Sequence, residues 1–201
     1  MPGSNIDFYF DFSSPFGYLA SHRIDALAAE FGRQVDWRPF LLGVAFKTTG
    51  ARPLNQLPIK GDYFKRDIPR TARLMGVPFT MPEPFPFMAV AASRAFYWLD
   101  GQDPAQAKAL AKAIFHAAFA EGRDMGAAAG VTDVAAGLGH DRDQVEAALK
   151  DQAVKDLLRQ EVDKALDRGV FGSPYIVVDG EPFWGNDRLD QVAEWLRTGG
   201  W

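Results

Sequence analysis

The sequence Ile6-Asp7-Phe8-Tyr9-Phe10-Asp11-Phe12-Ser13-Ser14-Pro15-Phe16-Gly17-Tyr18 decides the fold, because a strand pattern and a helix start meet in it. Residues 6–10 are aromatic and free of Gly and Pro, a composition typical of a short buried strand. Ser14 then supplies a hydroxyl at a helix N-cap, and Pro15 takes the first helical position, where its missing N–H costs no hydrogen bond. The stretch therefore predicts a strand that leads directly into a helix.

The residues that follow complete a strand–helix–strand unit. Apolar side chains recur at helical spacing from Phe16 to Phe31, and Gly32 stands where a left-handed residue commonly ends a helix. One helix is therefore predicted from Pro15 to about Phe31. Residues 35–42 predict a second strand, so the sheet is expected to begin as a parallel βαβ unit.

The middle of the chain is predicted to be helical apart from two loops. Residues 43–59 and 78–86 are rich in Gly, Pro and other turn-forming residues, which predicts irregular structure. The helical patterns of this region occupy residues 62–75, 87–99, 104–121, 132–138, 141–149 and 152–168.

The end of the chain predicts a β-hairpin and a final helix. Residues 175–178 form an apolar strand pattern, Asp179-Gly180 is a dipeptide typical of hairpin turns, and residues 182–184 return as the next strand. A helix is predicted after them from the spacing of Leu189, Val192, Ala193 and Leu196. The order of elements predicts an α/β fold with a thioredoxin-like βαβ–αββα core and a large all-helical insertion domain.

This order divides the chain into three segments. Residues 1–44 are predicted to be the first half of the thioredoxin-like domain, residues 45–165 the helical insertion domain, and residues 166–201 the second half. Because strands are predicted only in the first and third segments, those two are expected to assemble one sheet.

Composition favours an ordinary globular protein. Of 201 residues, 47% are hydrophobic and 24% are charged, which is close to the globular average and argues against disorder. The longest stretch without Asp, Glu, Lys or Arg, residues 12–22, is shorter than the ~18 residues that a membrane span requires. The first residues lack the basic and apolar regions of a secretion signal, so a cytoplasmic location is expected.

Charge and cysteine content exclude several kinds of partner and of catalytic site. The formal charge of −4 arises from 22 basic and 26 acidic residues that are interspersed, so there is no basic stripe for nucleic acid. The chain has no cysteine, which excludes disulfides, thiolate metal sites and a thiol nucleophile of its own. No metal site is predicted, and any sulfur chemistry must arrive with a ligand.

Three short segments are candidates for a site, because the predicted fold brings them to one end of the sheet. They are residues 12–18 after the first strand, residues 172–174 before the third, and residues 184–188 before the last helix. Ser14 lies at a helix N-terminus, where free N–H groups and the helix dipole favour a negative charge such as a thiolate. Taken alone, Ser14 is equally explained as a plain N-cap and Pro174 as a proline that opens a strand.

Together these segments resemble a known family. Ser14-Pro15-Phe16-Gly17-Tyr18 stands where DsbA-type thioredoxin proteins have Cys-Pro-His-Cys-Tyr, with Ser14 and Gly17 in place of the two cysteines. With residues 7–12, 170–174 and 184–189 included, the chain is similar to the 2-hydroxychromene-2-carboxylate isomerases, which are relatives of the kappa-class glutathione transferases. The resemblance implies a thioredoxin fold without a redox dithiol.

The resemblance also implies a cofactor and the residues that hold it. In that family glutathione is bound as its thiolate by the serine, and its backbone pairs with the residue before a cis-proline. These roles fall on Ser14 and on Ser173, so the Ser173-Pro174 bond is predicted to be cis. The γ-glutamyl end of glutathione falls to Trp184, Gly185, Asn186 and Asp187.

Elementary chemistry agrees with these roles. An unperturbed thiol has a pKa of about 8.5, so an O–H donated by Ser14 and the helix N-terminus both favour the thiolate at neutral pH. A serine hydrolase is not indicated, because no Gly-x-Ser-x-Gly elbow is present. Asp187 is expected to meet the ligand's ammonium group, although capping of the last helix by Asn186 or Asp187 explains the same sequence.

The implied reaction is the isomerisation of an unsaturated aromatic keto acid by reversible addition of glutathione thiolate. Such a substrate carries a carboxylate, for which Lys60 is the candidate cation, although charged residues on a helix more often form a solvated face. Phe16 and Met88 are candidates for the aromatic pocket, although ordinary core packing explains them as well. A homodimer is the expected default for such folds.

Two other functions remain open at this stage. A kappa-like glutathione transferase would conjugate electrophiles irreversibly, and a redox-inert thioredoxin-like module would use the cis-proline groove to bind peptides. The mass of the product distinguishes the isomerase from the transferase, and glutathione binding distinguishes both from the module.

Overall fold

The computed structural model describes residues 4–201, so the first three residues of the predicted segment 1–44 lie outside the described residues. The βαβ part consists of β1 (Ile6–Phe10), α1 (Pro15–Ser21), α2 (Ile24–Glu30) and β2 (Val35–Pro39). The helical region consists of α3 (Leu42–Thr49), α4 (Lys60–Met75), α5 (Val90–Asp100), α6 (Pro104–Phe119), α7 (Ala128–Gly137), α8 (Arg142–Lys150) and α9 (Gln152–Asp167). The chain ends with β3 (Tyr175–Val178), β4 (Glu181–Trp184) and α10 (Leu189–Thr198), and short 3-10 helices cover Leu54–Gln56 and Asn186–Arg188.

The four strands form one mixed sheet in the order β2-β1-β3-β4. β1 pairs in parallel with β2, as predicted, and antiparallel with β3, with Phe8 opposite Ile176. β3 pairs antiparallel with β4 across the Asp179-Gly180 turn. The strands of the two chain ends thus share one sheet, as the predicted βαβ–αββα order requires.

An aromatic cluster joins one face of this sheet to the helical region. Phe8 and Phe10 lie on the same face of β1 because side chains alternate along a strand, and both are fully buried. The ring of Phe10 lies 5.3 Å from that of Phe115 on α6 and 6.3 Å from that of Phe96 on α5. Burial of these rings stabilises the packing of the sheet against the helices.

Charged groups link the opposite face of β1 to the residue that follows α9. Arg168, which follows α9, lies 2.9 Å from both the Asp7 carboxylate and the Tyr9 hydroxyl. Arg38 on β2 also pairs with Asp7. The last helix before β3 is thereby held over the sheet, which fixes where the segment before Pro174 begins.

The predicted single helix from Pro15 to Phe31 is wrong, because the structure divides it into α1 and α2. The Ser21 hydroxyl donates to the Tyr18 carbonyl at 2.6 Å. The His22 N–H, whose acceptor in a continuous α-helix would be the Tyr18 carbonyl, donates to the Leu19 carbonyl. A side-chain hydroxyl that takes a backbone acceptor in this way interrupts the helical ladder.

The predicted loop at residues 43–59 is also partly wrong. The second strand stops at Pro39, short of the predicted residue 42, and α3 begins at Leu42. A carboxylate oxygen of Asp11 accepts the Leu42 N–H at 2.7 Å, so a residue far away in sequence stabilises the start of α3.

The limits of the predicted domains fall inside helices, residue 44 in α3 and residue 165 in α9. The division into core and insertion therefore stays a prediction. Of the helices in residues 4–201, none combines the length and the apolar character that spanning a membrane requires.

Candidate active site

Ser14 lies at the start of α1 and contacts the segment before β3. Its hydroxyl oxygen accepts the Gly17 N–H at 3.1 Å, which makes Ser14 the N-cap of α1 as the sequence predicts. The same oxygen lies 3.0 Å from the Ser173 carbonyl oxygen, to which the hydroxyl donates. Two of the three predicted segments are therefore in direct contact through one side chain.

The Asp11 side chain stabilises the turn that contains Ser13 and Ser14. One carboxylate oxygen accepts both the N–H and the hydroxyl of Ser13 at 2.7 Å, and the other accepts the Leu42 N–H. Burial raises the pKa of the Asp11 carboxyl above its ordinary value, while the hydrogen bonds from Ser13 and Leu42 act in the opposite direction. The Asp11 backbone also takes part, because its N–H donates to the Ser173 hydroxyl at 2.9 Å.

The Ser173-Pro174 peptide bond is cis, as predicted. Ser173 precedes β3, and its carbonyl and hydroxyl oxygens both point toward the Ser14 turn. The Pro174 carbonyl accepts the Gly185 N–H at 3.1 Å, which joins this segment to the turn after β4. The cis-proline segment is thus the contact between the other two predicted segments.

Glycine at position 17 makes the close approach of α1 and Ser173 feasible. A Cβ atom at this position would lie 2.9 Å from the Ser173 hydroxyl oxygen and 3.3 Å from the Ser14 Cβ. The side chain that DsbA-type proteins carry here would displace the Ser173 hydroxyl from the Asp11 N–H. Gly17 therefore belongs to the same arrangement as Ser14 and Ser173.

Trp184 lies at the surface beside the cis-proline segment. Its indole packs directly over Gly172, where a Cβ atom would collide with it at 2.2 Å. The Trp184 ring also meets Phe171 at 4.9 Å, and both side chains remain substantially exposed. An exposed aromatic surface therefore borders the segment formed by Ser173 and Pro174.

Gly185, Asn186 and Asp187 form the turn that leads into α10. Gly185 has a φ of 120°, and a Cβ atom there would lie 2.4 Å from an Asp187 carboxylate oxygen. Asn186 is buried, with its amide nitrogen 3.6 Å from the Met75 sulfur, whereas the Asp187 side chain is 73% exposed. The Asn186 side chain thus faces the interior, and the Asp187 side chain faces the solvent.

The expectation that Asn186 or Asp187 caps the last helix is wrong. The residue at the N-cap of α10 is Arg188, and no side chain caps either α10 or the 3-10 helix at Asn186–Arg188. The Asp187 carboxylate meets the Arg188 guanidinium at 3.4 Å instead. Because Asp187 carries no capping role, its exposed carboxylate is available to a ligand.

An aromatic wall connects the Ser14 turn to α4. The Phe16 ring lies 6.2 Å from that of Phe64 on α4, which in turn stacks on Phe85 at 5.9 Å. Lys60 is exposed and lies one helical turn before Phe64, so the two residues share a face of α4. The wall therefore begins at Phe16, two residues after Ser14, and Lys60 lies at the exposed start of the helix that carries Phe64.

Met88 is not brought to this group. It is 71% exposed and lines a separate cavity between α5, α7 and α8, whose lining includes none of the residues described above. Phe85, three residues earlier, is the residue of this segment that belongs to the aromatic wall. Met88 therefore has no contact that supports a role beside Ser14.

Comparisons with known proteins agree with this arrangement. A family model described as a DSBA-like thioredoxin domain matches residues 5–197. A 2-hydroxychromene-2-carboxylate isomerase from Pseudomonas putida is 34% identical over 186 residues, which cover 92% of this chain and 90% of the relative. The chain belongs to the DsbA-like thioredoxin family and, within it, to the 2-hydroxychromene-2-carboxylate isomerase family.

Two further relatives place the chain within this DsbA-like family. A solved structure of a 2-hydroxychromene-2-carboxylate isomerase superposes with a TM-score of 0.85 at 32% identity, covering 94% of this chain and 92% of the other. Glutathione S-transferase kappa 2 from Caenorhabditis elegans is 27% identical and covers 95% of this chain and 91% of its own. The predicted fold and the predicted family are thereby confirmed.

As a DsbA-like protein without cysteine, this family member depends on residues that motif analysis did not single out. Asp11 follows the first strand in the sequence, and in the structure it joins the Ser14 turn, Ser173 and α3. Its position three residues before Ser14, between two apolar residues, was the available signal. Phe64 gives no local signal, because its role depends on contacts with Phe16 and Phe85 in distant segments.

Proposed function

We propose that the chain is a glutathione-dependent isomerase that acts on an unsaturated aromatic keto acid, as the resemblance to 2-hydroxychromene-2-carboxylate isomerases implies. The observation that carries this proposal is the contact of the Ser14 hydroxyl with the Ser173 backbone at the start of α1. Relatives with that name are 32% to 34% identical over most of the chain, which supports the same activity here.

The residues present fit glutathione as an extended peptide ligand. Ser173 lies two residues before Tyr175, the first residue of β3, and within residues 4–201 no acceptor is found for its backbone N–H. Among the described residues, the Ser14 hydroxyl is the one donor to its carbonyl, and a hydroxyl exchanges partners at little cost. Ser173 therefore offers a donor and an acceptor in the pattern of a β-strand pairing.

Ser14 provides the sulfur position in this proposal. Its hydroxyl proton turns from the Ser173 carbonyl toward the ligand sulfur, while its oxygen continues to accept the Gly17 N–H. A hydrogen bond donated to an anion is stronger than one to a neutral acceptor, so Ser14 lowers the pKa of the bound thiol. The Phe16 N–H, for which the described residues supply no acceptor, adds a second donor at the same helix end.

Bound glutathione would supply a thiolate that adds reversibly to a conjugated double bond, so that the bond rotates as a single bond before the thiolate leaves. The protein's part is to hold the aromatic substrate still. The wall formed by Phe16, Phe64 and Phe85 provides an apolar surface, and the Lys60 ammonium meets the substrate carboxylate. Met88 is not needed for this arrangement.

The turn at residues 184–187 binds the γ-glutamyl end in this proposal. The Trp184 indole forms an apolar side, and the exposed Asp187 carboxylate accepts hydrogen bonds from the ligand ammonium group. Gly185 lets the backbone of the turn lie close to the Asp187 carboxylate, because a side chain at position 185 would collide with that carboxylate. Asn186 acts from the interior, where its amide fixes the turn against Met75.

The experiment is conversion of 2-hydroxychromene-2-carboxylate by the purified protein with and without glutathione. We expect a product of unchanged mass that forms only when glutathione is present, and no net consumption of glutathione. A product heavier by one glutathione would instead identify a kappa-like transferase, which the Caenorhabditis elegans relative makes the second candidate. Failure to bind millimolar glutathione in a calorimetric titration would exclude both the isomerase and the transferase, and a peptide-binding module would be the remaining function.

The remaining parts of the proposal concern assembly and location. We propose a cytoplasmic homodimer that acts on a small molecule rather than on nucleic acid or a membrane. Sedimentation of the purified chain reports its mass in solution, and a monomer at micromolar concentration would contradict the homodimer.

A further inference from the structure

A second cavity lies in the helical region, away from the site at Ser14. Its volume is about 520 Å³, which is within the range of small-molecule sites. It lies between the starts of α5 and α7 and the end of α8, and we name it the α5–α7–α8 cavity. Its lining includes Met88, Val90, Arg94, Thr132, Glu146 and Leu149.

Thr132 presents an unsatisfied hydroxyl in this cavity. The residue is 1% exposed, and its hydroxyl oxygen has no hydrogen-bond partner among the described residues. A buried hydroxyl without a partner costs free energy, so such groups are rare in folded proteins. A ligand that bonds to this hydroxyl would remove that cost.

Arg94 presents a second unsatisfied donor to the same cavity. One of its terminal nitrogens donates to the Leu149 carbonyl at 3.1 Å, which satisfies an end carbonyl of α8. Its Nε atom is buried and finds no acceptor within residues 4–201. A guanidinium has five N–H groups in a planar fork that matches a carboxylate, and the bond to Leu149 occupies one of them.

Two helix starts add to the positive character of the cavity. The N-caps of α5 and α7 are Ala89 and Ala127, and neither helix has a side-chain cap. Their first-turn N–H groups therefore have no side-chain acceptor, and the lining residues Val90, Ala128 and Ala129 belong to these first turns.

The acidic groups nearby are already engaged. Glu146 pairs with Lys150 at 3.7 Å, and Asp124 accepts the Gly126 N–H at 2.8 Å. No ion pair involving Arg94 is found in the described part of the chain. Among the residues that line the cavity, there are two cations, Arg94 and Lys150, and one carboxylate, Glu146, and this excess of positive charge favours an anion.

We propose that the α5–α7–α8 cavity is a binding site for a small organic carboxylate with an apolar body. The carboxylate accepts hydrogen bonds from the Arg94 guanidinium and the Thr132 hydroxyl. The apolar body packs against the Met88, Val90 and Leu149 side chains, which form much of the remaining lining. This site is separate from glutathione binding, because its lining includes neither Ser14 nor Ser173.

The test uses benzoate as the carboxylate probe and benzyl alcohol as its uncharged counterpart, titrated into the full chain by calorimetry. We expect saturable binding of benzoate and at least ~10-fold weaker binding of benzyl alcohol, because hydrogen bonds to a charged group are lost. Saturating glutathione is expected to leave the benzoate affinity unchanged. Absence of saturable benzoate binding at millimolar concentration overturns the proposal.

The variant Thr132→Val separates a ligand role from a structural one. It keeps the shape of the side chain and removes a hydroxyl that has no partner, so thermal stability is expected to stay the same or rise. Benzoate affinity is expected to fall ~10-fold or more. Ser93→Ala is the matched control, because Ser93 is also buried with an unpartnered hydroxyl but does not line the cavity.

Two results would contradict this assignment. Equal benzoate affinity in wild type and Thr132→Val would show that the hydroxyl does not meet the carboxylate. Loss of benzoate binding on Lys60→Met, with none on Thr132→Val, would place the probe at the Ser14 side instead. Arg94→Lys provides a second variant, for which weaker benzoate binding is expected because the planar fork is lost while the charge is kept.

Discussion

Ser14 combines two roles in one hydroxyl group, and the geometry shows how they are compatible. Its oxygen accepts the Gly17 N–H, while its single proton points to the Ser173 carbonyl. When the proton turns toward a ligand sulfur, the cap on α1 is kept and the Ser173 carbonyl becomes free to accept from the ligand. The capping role and the proposed chemical role therefore do not exclude each other.

The variant Ser14→Ala is expected to raise the pKa of bound glutathione. Loss of a hydrogen bond to a charged sulfur costs about 1.5 to 3 kcal/mol, which corresponds to a pKa higher by roughly one to two. Isomerase activity near neutral pH is expected to fall ~10- to 100-fold and to recover partly in alkali, where the thiol ionises unaided. The ultraviolet absorbance of the thiolate, followed across a pH titration, measures the change.

Ser21→Ala is the control for Ser14→Ala, because it removes a hydroxyl at the other end of α1 that bonds only to the Tyr18 carbonyl. Its thiolate titration is expected to match that of the wild type. Identical titrations for Ser14→Ala and wild type would mean that Ser14 acts only as the helix cap.

Asp187 allows a separate test of the γ-glutamyl contacts. The variant Asp187→Ala is expected to weaken glutathione binding by about 10-fold or more, because a charge-assisted contact is lost. The free energy of unfolding is expected to change by less than about 0.5 kcal/mol, because the carboxylate is exposed and caps no helix. Calorimetric titration and denaturant unfolding give the two quantities.

Asp190→Ala is the comparison for Asp187→Ala. Asp190 is an exposed carboxylate in the first turn of α10 that pairs with Arg23. Its removal is expected to leave glutathione affinity unchanged. A similar loss of glutathione affinity in both variants would mean that Asp187 acts through the overall negative charge of this region and not through a direct contact with the ligand.

At the scale of elements, the sequence predicts the strands and most helices because their signals are local. The aromatic run of β1 and the Asp179-Gly180 turn each lie within a few residues, and both are observed as predicted. The start of α3 was missed because its N-terminal acceptor is Asp11, which lies 31 positions earlier in the chain. The break after α1 was missed because helical spacing of apolar residues does not reveal the Ser21 back-bond.

In the candidate site, too, residues with a local sequence signal are predictable and residues placed by distant contacts are not. Ser14, Ser173 and Pro174 were found from motifs, because the site places them at element ends with recognisable residue types. The inward position of Asn186 was not predictable, since it depends on Met75 at the end of α4. Contacts between segments distant in the chain decide which of two neighbouring polar residues faces the solvent.

The approach of α1 to the segment before β3 gives a prediction for a pair of residues. Gly17→Ala places a Cβ atom 2.9 Å from the Ser173 hydroxyl oxygen, so it is expected to destabilise the protein by about 1 to 3 kcal/mol. In a Ser173→Ala background the collision is removed, and the same change is expected to cost less than about 0.5 kcal/mol. Denaturant unfolding of the four proteins in this double-mutant cycle gives the coupling.

Gly43→Ala serves as the control, because a Cβ atom at Gly43 meets nothing within 4 Å. It is expected to be neutral or slightly stabilising, since alanine favours a helix more than glycine does. Equal costs of Gly17→Ala with and without the Ser173 hydroxyl would mean that the contact with the Ser14 Cβ dominates.

At the scale of the whole molecule, Asp25 joins the sheet side to the helical region. Its carboxylate on α2 meets Lys108 at 2.9 Å and Lys112 at 2.7 Å on α6, and the Trp37 indole N–H on β2 at 3.1 Å. Burial raises the pKa of Asp25, but the hydrogen bonds from the two lysines and Trp37 outweigh it and hold the pKa below its ordinary value. Charge on Asp25 therefore stabilises the packing of α6 against the core.

The variant Asp25→Asn is expected to lower the free energy of unfolding at pH 7 by about 1 to 2 kcal/mol, because two lysines lose their shared partner. A carboxyl whose pKa is depressed in the folded state stabilises the protein above the unfolded pKa of about 3.9, and this contribution disappears as pH falls through the folded pKa. The difference between wild type and variant is therefore expected to shrink as pH falls below about 4. Denaturant unfolding across this pH range measures it.

Asp190→Asn is the matched control for Asp25→Asn, because its partner Arg23 also joins two elements but the Asp190 side chain is 84% exposed. A surface ion pair of this kind contributes little, so its removal is expected to change stability by less than about 0.5 kcal/mol at any of these pH values. If Asp25→Asn were equally silent, or if its cost were independent of pH, the charge on Asp25 would not be what holds α6 to the core. The aromatic contacts of Phe115 on α6 with Phe10 and Phe12 would then hold that junction, because they do not titrate.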